Sequence, residues 1–303
     1  MSFWIVTDAC TDLPVEYIKR QKDLHIVPMS YQIAGNVQEI DLTDETLAGR
    51  VKSFYQQLED GAVATTFQVN QNEWVEHLTP ILDQGHDVLL IVLSSSLSGM
   101  YLTSKAAEAE LREKYPDRKI YTFDSRCASL GEGLLVDKAI AYREAGHSVE
   151  ETYQWLTENA LRVIHWFTVD DLHFLARGGR LTATSAALGS ILKIKPVLNV
   201  DPKGRLVPRM KVQGRKHSLK ALFEQVEKTA LEPEKQTVFI SHGNSEADAN
   251  WLAERLKHKL GVPSVMISQI GPIVGSHAGP GTVAVFFMDK DGSSRLDVVE
   301  ASK

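Results

Sequence analysis

Between Asp87 and Leu111 the chain passes from an unbroken apolar run into a cluster of hydroxyls and then into a helix-forming stretch. Val88 to Leu93 contains no polar residue, as a strand buried on both faces of a parallel sheet requires. Ser94, Ser95, Ser96 and Ser98 follow, then Gly99 and a segment rich in Ala and Glu. A strand that ends in small hydroxyl residues and turns into a helix presents free backbone N–H groups and the positive end of the helix dipole. Such a turn accepts an anion. No Lys or Arg stands beside the hydroxyls before Lys105, and the G-x-x-x-x-G-K-[ST] pattern of a polyphosphate loop is absent. These donors suit a singly charged group such as a carboxylate. The local alternative is that Ser98 or a neighbour simply caps the helix.

The strand-to-helix alternation extends through the first half. Strands are predicted at Phe3 to Thr7, His25 to Ile33, Val88 to Leu93 and Lys119 to Phe123, with an extended piece at Ala62 to Gln68. Helices are predicted after Leu42, after the cap Asn70, after Gly99, up to Ala145, and from Ser148 to Val163. This order argues for an α/β domain over residues 1–163 with a doubly wound parallel sheet. Ligands of such sheets sit at the carboxyl ends of the strands. Asp8 with Thr11, the Ser94 cluster, and Asp124 with Ser125 all fall there.

The second half changes character. A strand at His165 to Val169 leads to the basic break Arg177-Gly178-Gly179-Arg180, and a helix is predicted from Thr182 to Ile194. Pro196 to Val200 and Leu206 to Gln213 read as a meander. Helices at Ser218 to Thr229 and Ser245 to Leu260 alternate with strands at Gln236 to Ser241, Val265 to Ile270 and Thr282 to Met288. This is the pattern of a separate α+β domain over residues 164–303.

Composition excludes several classes. The chain has 303 residues, 43% hydrophobic and 24% charged, which is ordinary for a globular protein. No apolar run approaches the roughly 20 residues of a membrane span, and Met1 to Thr7 lacks the basic start of a secretory signal. Cys10 and Cys127 form no disulfide framework, so a cytoplasmic location is expected. There is no H-E-x-x-H, C-x-x-C, G-x-S-x-G or G-x-G-x-x-G motif, and neither metal nor cofactor is expected. The net charge of −6 conceals an asymmetry: residues 177–220 carry +10 and the remainder −16. Such a segment suits an acidic partner, an anionic lipid surface or a nucleic acid.

Ile270 to Gly281 reads I-G-P-I-V-G-S-H-A-G-P-G, four glycines and two prolines around His277. A histidine fixed in such a turn donates a hydrogen bond or carries a charge near neutral pH.

Five segments together resemble the DegV family of bacterial fatty-acid-binding proteins. They are Ile5 to Pro14, Ser94 to Tyr101, Asp124 to Gly133, Leu175 to Leu181 and Ile270 to Gly281, in the family's order. The resemblance implies a long-chain fatty acid held between the two domains. It also implies presentation of the acyl carboxylate to a separate ATP-dependent fatty acid kinase, which makes an acyl phosphate. The family's carboxylate contacts map onto Thr65, Ser95 and His277, with Thr66, Ser94, Arg177 and Arg180 as additional candidates. Thr65-Thr66-Phe67-Gln68-Val69 departs from the family's T-[ST]-Q-P-[ST] segment, so the alignment fits Thr65 or Thr66.

The leading expectation is a non-catalytic carrier in an apolar tunnel. Each buried CH₂ is worth about 0.8 kcal/mol, and the carboxylate needs donors because an unpaired buried charge is costly. The basic segment then suits transient contact with an anionic membrane, or with the kinase. One alternative is a hydrolase or transferase with Ser95 as nucleophile and His277 as base. Another is a nucleic-acid-binding regulator, although no recognised binding motif accompanies the charges and no nucleic-acid partner is expected.

Overall fold

The structure, a computed structural model, describes residues 3–181 and 194–296. Its first layer is a four-stranded parallel sheet in the order β2 (Leu24–Val27), β1 (Trp4–Asp8), β6 (Val88–Val92), β7 (Ile120–Asp124). Every residue of β6 is buried, as its unbroken apolar run demands. From β1 the chain steps one way to β2, through α1 (Val15–Ile18). From β6 it steps the other way to β7, through α4 (Met100–Lys114). Right-handed crossovers in opposite directions put these helices on opposite faces. The expected α/β, doubly wound parallel sheet is therefore present. All four strands end at one edge, where Asp8 and Asp124 lie.

A second, antiparallel sheet joins β3 (Met29–Ile33) to β4 (Asn36–Ile40) on one side and β5 (Ala64–Phe67) on the other. It corrects the single strand expected from His25 to Ile33. Pro28 has no N–H to give a ladder, and the chain changes sheets there. Helix α2 (Leu47–Glu59) follows β4, and α3 (Gln71–Asp83) packs on α4. Asn70 caps α3 in a reciprocal capping box with Glu73.

Helix α5 (Leu130–Glu144) joins the two halves. It packs on β1 and β6 and also reaches the six-stranded sheet of the second domain. It is followed by α6 (Val149–Asn159), which ends earlier than Val163; that residue already begins β8 (Val163–Thr168). After β8 come α7 (His173–Arg177), β9 (Ile194–Val200), β10 (Leu206–Gln213), α8 (Arg215–Thr229), β11 (Thr237–His242) and α9 (Glu246–Leu260). The series ends with β12 (Ser264–Gln269), α10 (Pro272–Ala278), β13 (Val283–Met288) and α11 (Ser293–Leu296). The sheet order is β10-β9-β8-β13-β11-β12, antiparallel except for the β11–β12 pair. Residues 182–193, most of the helix expected from Thr182, lie outside the described residues, and Ile194 is already strand.

The period-two alternation of strands divides the apolar side chains between two cores. Ile164, Trp166, Val238, Ile240, Val285 and Phe287 pack outward under α8 and α9. Phe167, Phe239, Ala284 and Phe286 point inward and join the core of the first domain. The inner core is thus continuous across both halves, and it is there that a cavity opens.

Candidate functional site

The cavity lies where the carboxyl edge of the parallel sheet meets the inner face of the six-stranded sheet. Its volume is about 180 Å³, many times the roughly 10–15 Å³ that one water needs. Its wall is mostly apolar and includes Met29, Leu93, Leu97, Phe167, Ile273 and Phe286.

At one end polar groups converge. Thr66, on β5, meets His277 with its Oγ1 3.0 Å from Nε2. His277 sits in the last turn of α10, so the loop expected around it is a short helix. Pro272 starts that helix in the position that needs no N–H. Burial, then the positive charges of Arg180 and Arg177, pull the His277 pKa down to about 4. The imidazole is therefore neutral near pH 7 and acts as a hydrogen-bonding group, not as a cation. Its Nδ1 is buried without a hydrogen-bond partner and faces Gly178, where an added Cβ would stand 2.3 Å away. The first glycine of Arg177-Gly178-Gly179-Arg180 is thus explained by close approach to the imidazole.

Arg180 lines the same end. Its Nε donates to Leu97 O at 3.0 Å and its Nη1 to Gly178 O. Among the described residues no carboxylate pairs with it, and burial lowers its pKa. A half-buried guanidinium aimed into a cavity, with carbonyl partners and no acid, leaves charge for an incoming anion. Arg177 instead is exposed and lies over the Phe174 ring at 4.9 Å.

The structure separates the expected residues. Thr66, Arg180 and His277 line the cavity; Thr65, Ser94, Ser95 and Arg177 do not. Period-two alternation turns Thr65 to the exposed side of β5 while Thr66 faces His277. Ser95 is exposed and closes a turn, its N–H donating to Asp124 Oδ1 at 3.0 Å and its Oγ to Oδ2. Ser95 and His277 bond to different partners, so the nucleophile–base pair of the hydrolase alternative is not formed. Ser98 does line the cavity, and its Oγ also accepts the Met100 N–H at 3.2 Å. Capping and site are thus compatible at this residue. Sequence reasoning missed Ser98 as a wall residue because four neighbouring hydroxyls carry the same signal.

Ser94 has a different task. It is fully buried and donates to Gly204 O at 2.9 Å, fastening the β9–β10 turn over the end of β6. Ser96 Oγ donates to Lys203 O beside it. Gly204 has φ +78, and a Cβ there would stand 2.1 Å from Ser94 Oγ and 3.0 Å from Arg126 Cα. Gly204→Ala is therefore expected to destabilise the fold by roughly 1–2 kcal/mol, from the left-handed conformation alone. Urea unfolding of the variant measures it, and unchanged stability would show the clasp to be slack.

Asp8 and Asp124 act as strand-end turn residues. Asp8 accepts from Cys10 N at 2.8 Å and Leu93 N at 3.0 Å, and Asp124 from Ser95 and Arg126. Cys10 and Cys127 are buried, and burial raises both thiols, so neither is an activated nucleophile. Among the described residues no group of three His, Cys, Asp or Glu is arranged to hold a metal ion, and no helix is long and apolar enough to cross a membrane. Part of the basic segment is engaged in ion pairs. Lys195 and Arg215 pair with Asp170, Arg205 with Asp201, and Lys220 with Glu224. Arg180 turns to the cavity, and Lys193 lies outside the described residues.

Comparison with known proteins agrees with this architecture. The DegV family model matches residues 2–290. A DegV domain-containing protein of Clostridium perfringens is 43% identical over 286 residues, covering 94% of this chain and 97% of the relative. The crystal structure of DegV, a fatty acid binding protein from Bacillus subtilis, is 29% identical with a TM-score of 0.81, covering 96% of this chain and all of the other. A DegV lipid binding protein from Thermotoga maritima is 27% identical with a TM-score of 0.83, covering 96% and 99%. The Streptococcus pneumoniae Fatty Acid Kinase B3 protein loaded with linoleic acid shares the fold at 19% identity, with a TM-score of 0.84 over 96% of this chain and all of that one. With a family model spanning nearly all of its length, this chain belongs to the DegV family.

Proposed function

We propose that the chain is a non-catalytic carrier that holds a long-chain fatty acid in this cavity and presents its carboxylate to a fatty acid kinase. One observation carries the reading: an apolar cavity at one end of which Thr66, His277 and an arginine with no acid partner among the described residues come together. The apolar wall stabilises the chain at about 0.8 kcal/mol per CH₂. The carboxylate then lies against Arg180. The neutral His277 donates from Nε2 to Thr66 Oγ1, which frees the Thr66 hydroxyl hydrogen for the ligand. In this reading Thr66 takes the contact assigned by resemblance to Thr65, and Ser98 that assigned to Ser95.

The names of relatives support the ligand class: the Bacillus subtilis and Thermotoga maritima proteins are described as fatty acid binding and lipid binding. The kinase partner follows from the family resemblance. Loading from an anionic membrane involves Arg177, Lys203, Lys211 and Lys216, which have no ion pair among the described residues. Vesicle-to-protein transfer that ignores both salt and lipid charge would remove that part.

Mass spectrometry of an organic extract of the purified protein tests the ligand, and a long-chain fatty acid is the expected finding. Thr66→Ala and His277→Ala are each expected to weaken a fluorescent fatty acid about tenfold, the value of one hydrogen bond at the upper end of the neutral range. Wild-type affinity in both variants would move the carboxylate elsewhere.

A further inference from the structure

We propose that Asp12 is a positioning residue for the carboxylate end of the cavity: it anchors the start of α10 and so sets where His277, at the other end of that helix, meets Thr66. The inference rests on the reading of that end as the carboxylate site.

Asp12 follows the first strand and is 2% exposed, with φ +52. A buried carboxyl on a left-handed, non-glycine backbone is doubly unfavourable unless its contacts require it. Those contacts join three elements. Oδ1 accepts the Gly271 N–H at 2.8 Å, at the N-cap of α10. Oδ2 takes the hydroxyl of Ser129, which starts α5, and Ser129 Oγ lies 2.9 Å from Ser241 Oγ on β11.

Helix α10 has seven residues and no side-chain cap of its own. A helix that short has little intrinsic stability, so its ends fix its place. Tyr55 Oη holds the preceding carbonyl, Ile270 O, at 2.9 Å. Asp12 supplies a carboxyl at the positive end of the helix. Gly271 and His277 are six residues apart, about 9 Å along the axis. A tilt at the first residue therefore displaces the imidazole against Thr66.

The titratable groups that act on Asp12 or feel its charge are Asp8 and Cys10 from its own segment and Tyr55 from α2. No described cation pairs with it. Burial raises the Asp12 pKa to about 7, against the pull of its two hydrogen bonds.

The test compares Asp12→Gly, which removes the carboxyl where glycine accepts the positive φ without strain, with Asp12→Asn, which keeps an oxygen for Gly271 N–H. In the ligand-free full chain at about pH 5, where Asp12 keeps its proton, the His277 imidazole resonances are expected to move in D12G and to keep their wild-type positions in D12N. Fluorescent fatty-acid affinity is expected to fall roughly tenfold in D12G and to stay within about twofold in D12N. The wild-type His277 resonances are also expected to inflect near pH 7, as Asp12 ionises, and this inflection is expected to vanish in D12N. That second measurement stands whether or not D12G folds. Unmoved His277 signals in a folded D12G chain, or an inflection that survives in D12N, would overturn the proposal. The resonances are read without ligand, so they decide the role of Asp12 separately. A wild-type chain that takes no fatty acid would instead overturn the proposed function.

Discussion

Replacing Arg180 by methionine is expected to lower the affinity for a long-chain fatty acid by roughly a hundredfold, near the upper end of what a hydrogen bond to a charged group contributes. Methionine keeps an unbranched apolar stem and removes only the charged head. The guanidinium has the carbonyls of Leu97 and Gly178 as partners and no acid among the described residues. Its uncompensated charge is therefore spent on the ligand and not on the fold. The expected signature is a separation of the two properties: binding collapses while the melting temperature holds or rises. Displacement of a fluorescent fatty acid measures the first and thermal unfolding of ligand-free protein the second. Parallel loss of both would make Arg180 a structural residue. Unchanged binding would mean that the carboxylate does not lie at this end.

The second large effect is on stability. As the pH rises from about 5 to about 7.5 the ligand-free chain is expected to become less stable, because buried acids bind their protons more tightly folded than unfolded. Asp8, Asp12 and Glu132 are all fully buried, and burial raises each of them. Asp8 and Glu132 face one another, which raises Glu132 further. Below the unfolded value both states carry the proton and no penalty exists. Between the unfolded and folded values only the native state keeps it, so stability falls with pH until the folded value is passed. For Asp12 a rise from 3.8 to about 7 corresponds to a change on the order of 4 kcal/mol. Carboxylates outside the core such as Asp44 and Glu45 are held below their ordinary values by hydrogen bonds and act only at more acid pH. Urea unfolding over a pH series measures the slope, and Asp12→Asn is expected to remove the Asp12 share and leave that of Glu132. A flat wild-type profile, or an unchanged slope in the variant, would show that these carboxyls are better solvated than their burial implies.

The fold was legible wherever one element could be recognised from its own residues. Val88 to Leu93 read as a doubly buried strand because nothing polar interrupts it, and Asn70 read as a cap because its side chain is of the type that accepts from the first free N–H groups of a helix. The three-stranded sheet was not legible. Its strand β4 has one buried residue of five and so carries little apolar signal, and the switch between sheets at Pro28 depends on where two different partners lie. His277 looked like a loop residue because glycine and proline usually break helices. Here Pro272 only starts one, and Gly275 is carried through it.

The sequence by itself determined the class of the protein: buried parallel strands, polar strand ends at one edge, a second domain of different pattern, and five motifs in a family's order. It also marked Arg180 and His277. The tertiary structure decided which hydroxyls share the cavity with them. Thr65 and Thr66 differ by half a strand period, and Ser94, Ser95 and Ser98 by a few residues of one turn. Each pair or trio has the same chemistry in sequence, and only the direction of the backbone at each position separates solvent, clasp and cavity. The structure likewise gave Asp12 a task, because its partners Ser129 and Gly271 stand 117 and 259 residues away along the chain. Contacts of that span leave no local pattern, and the one to Gly271 exists only when the two domains close on one another.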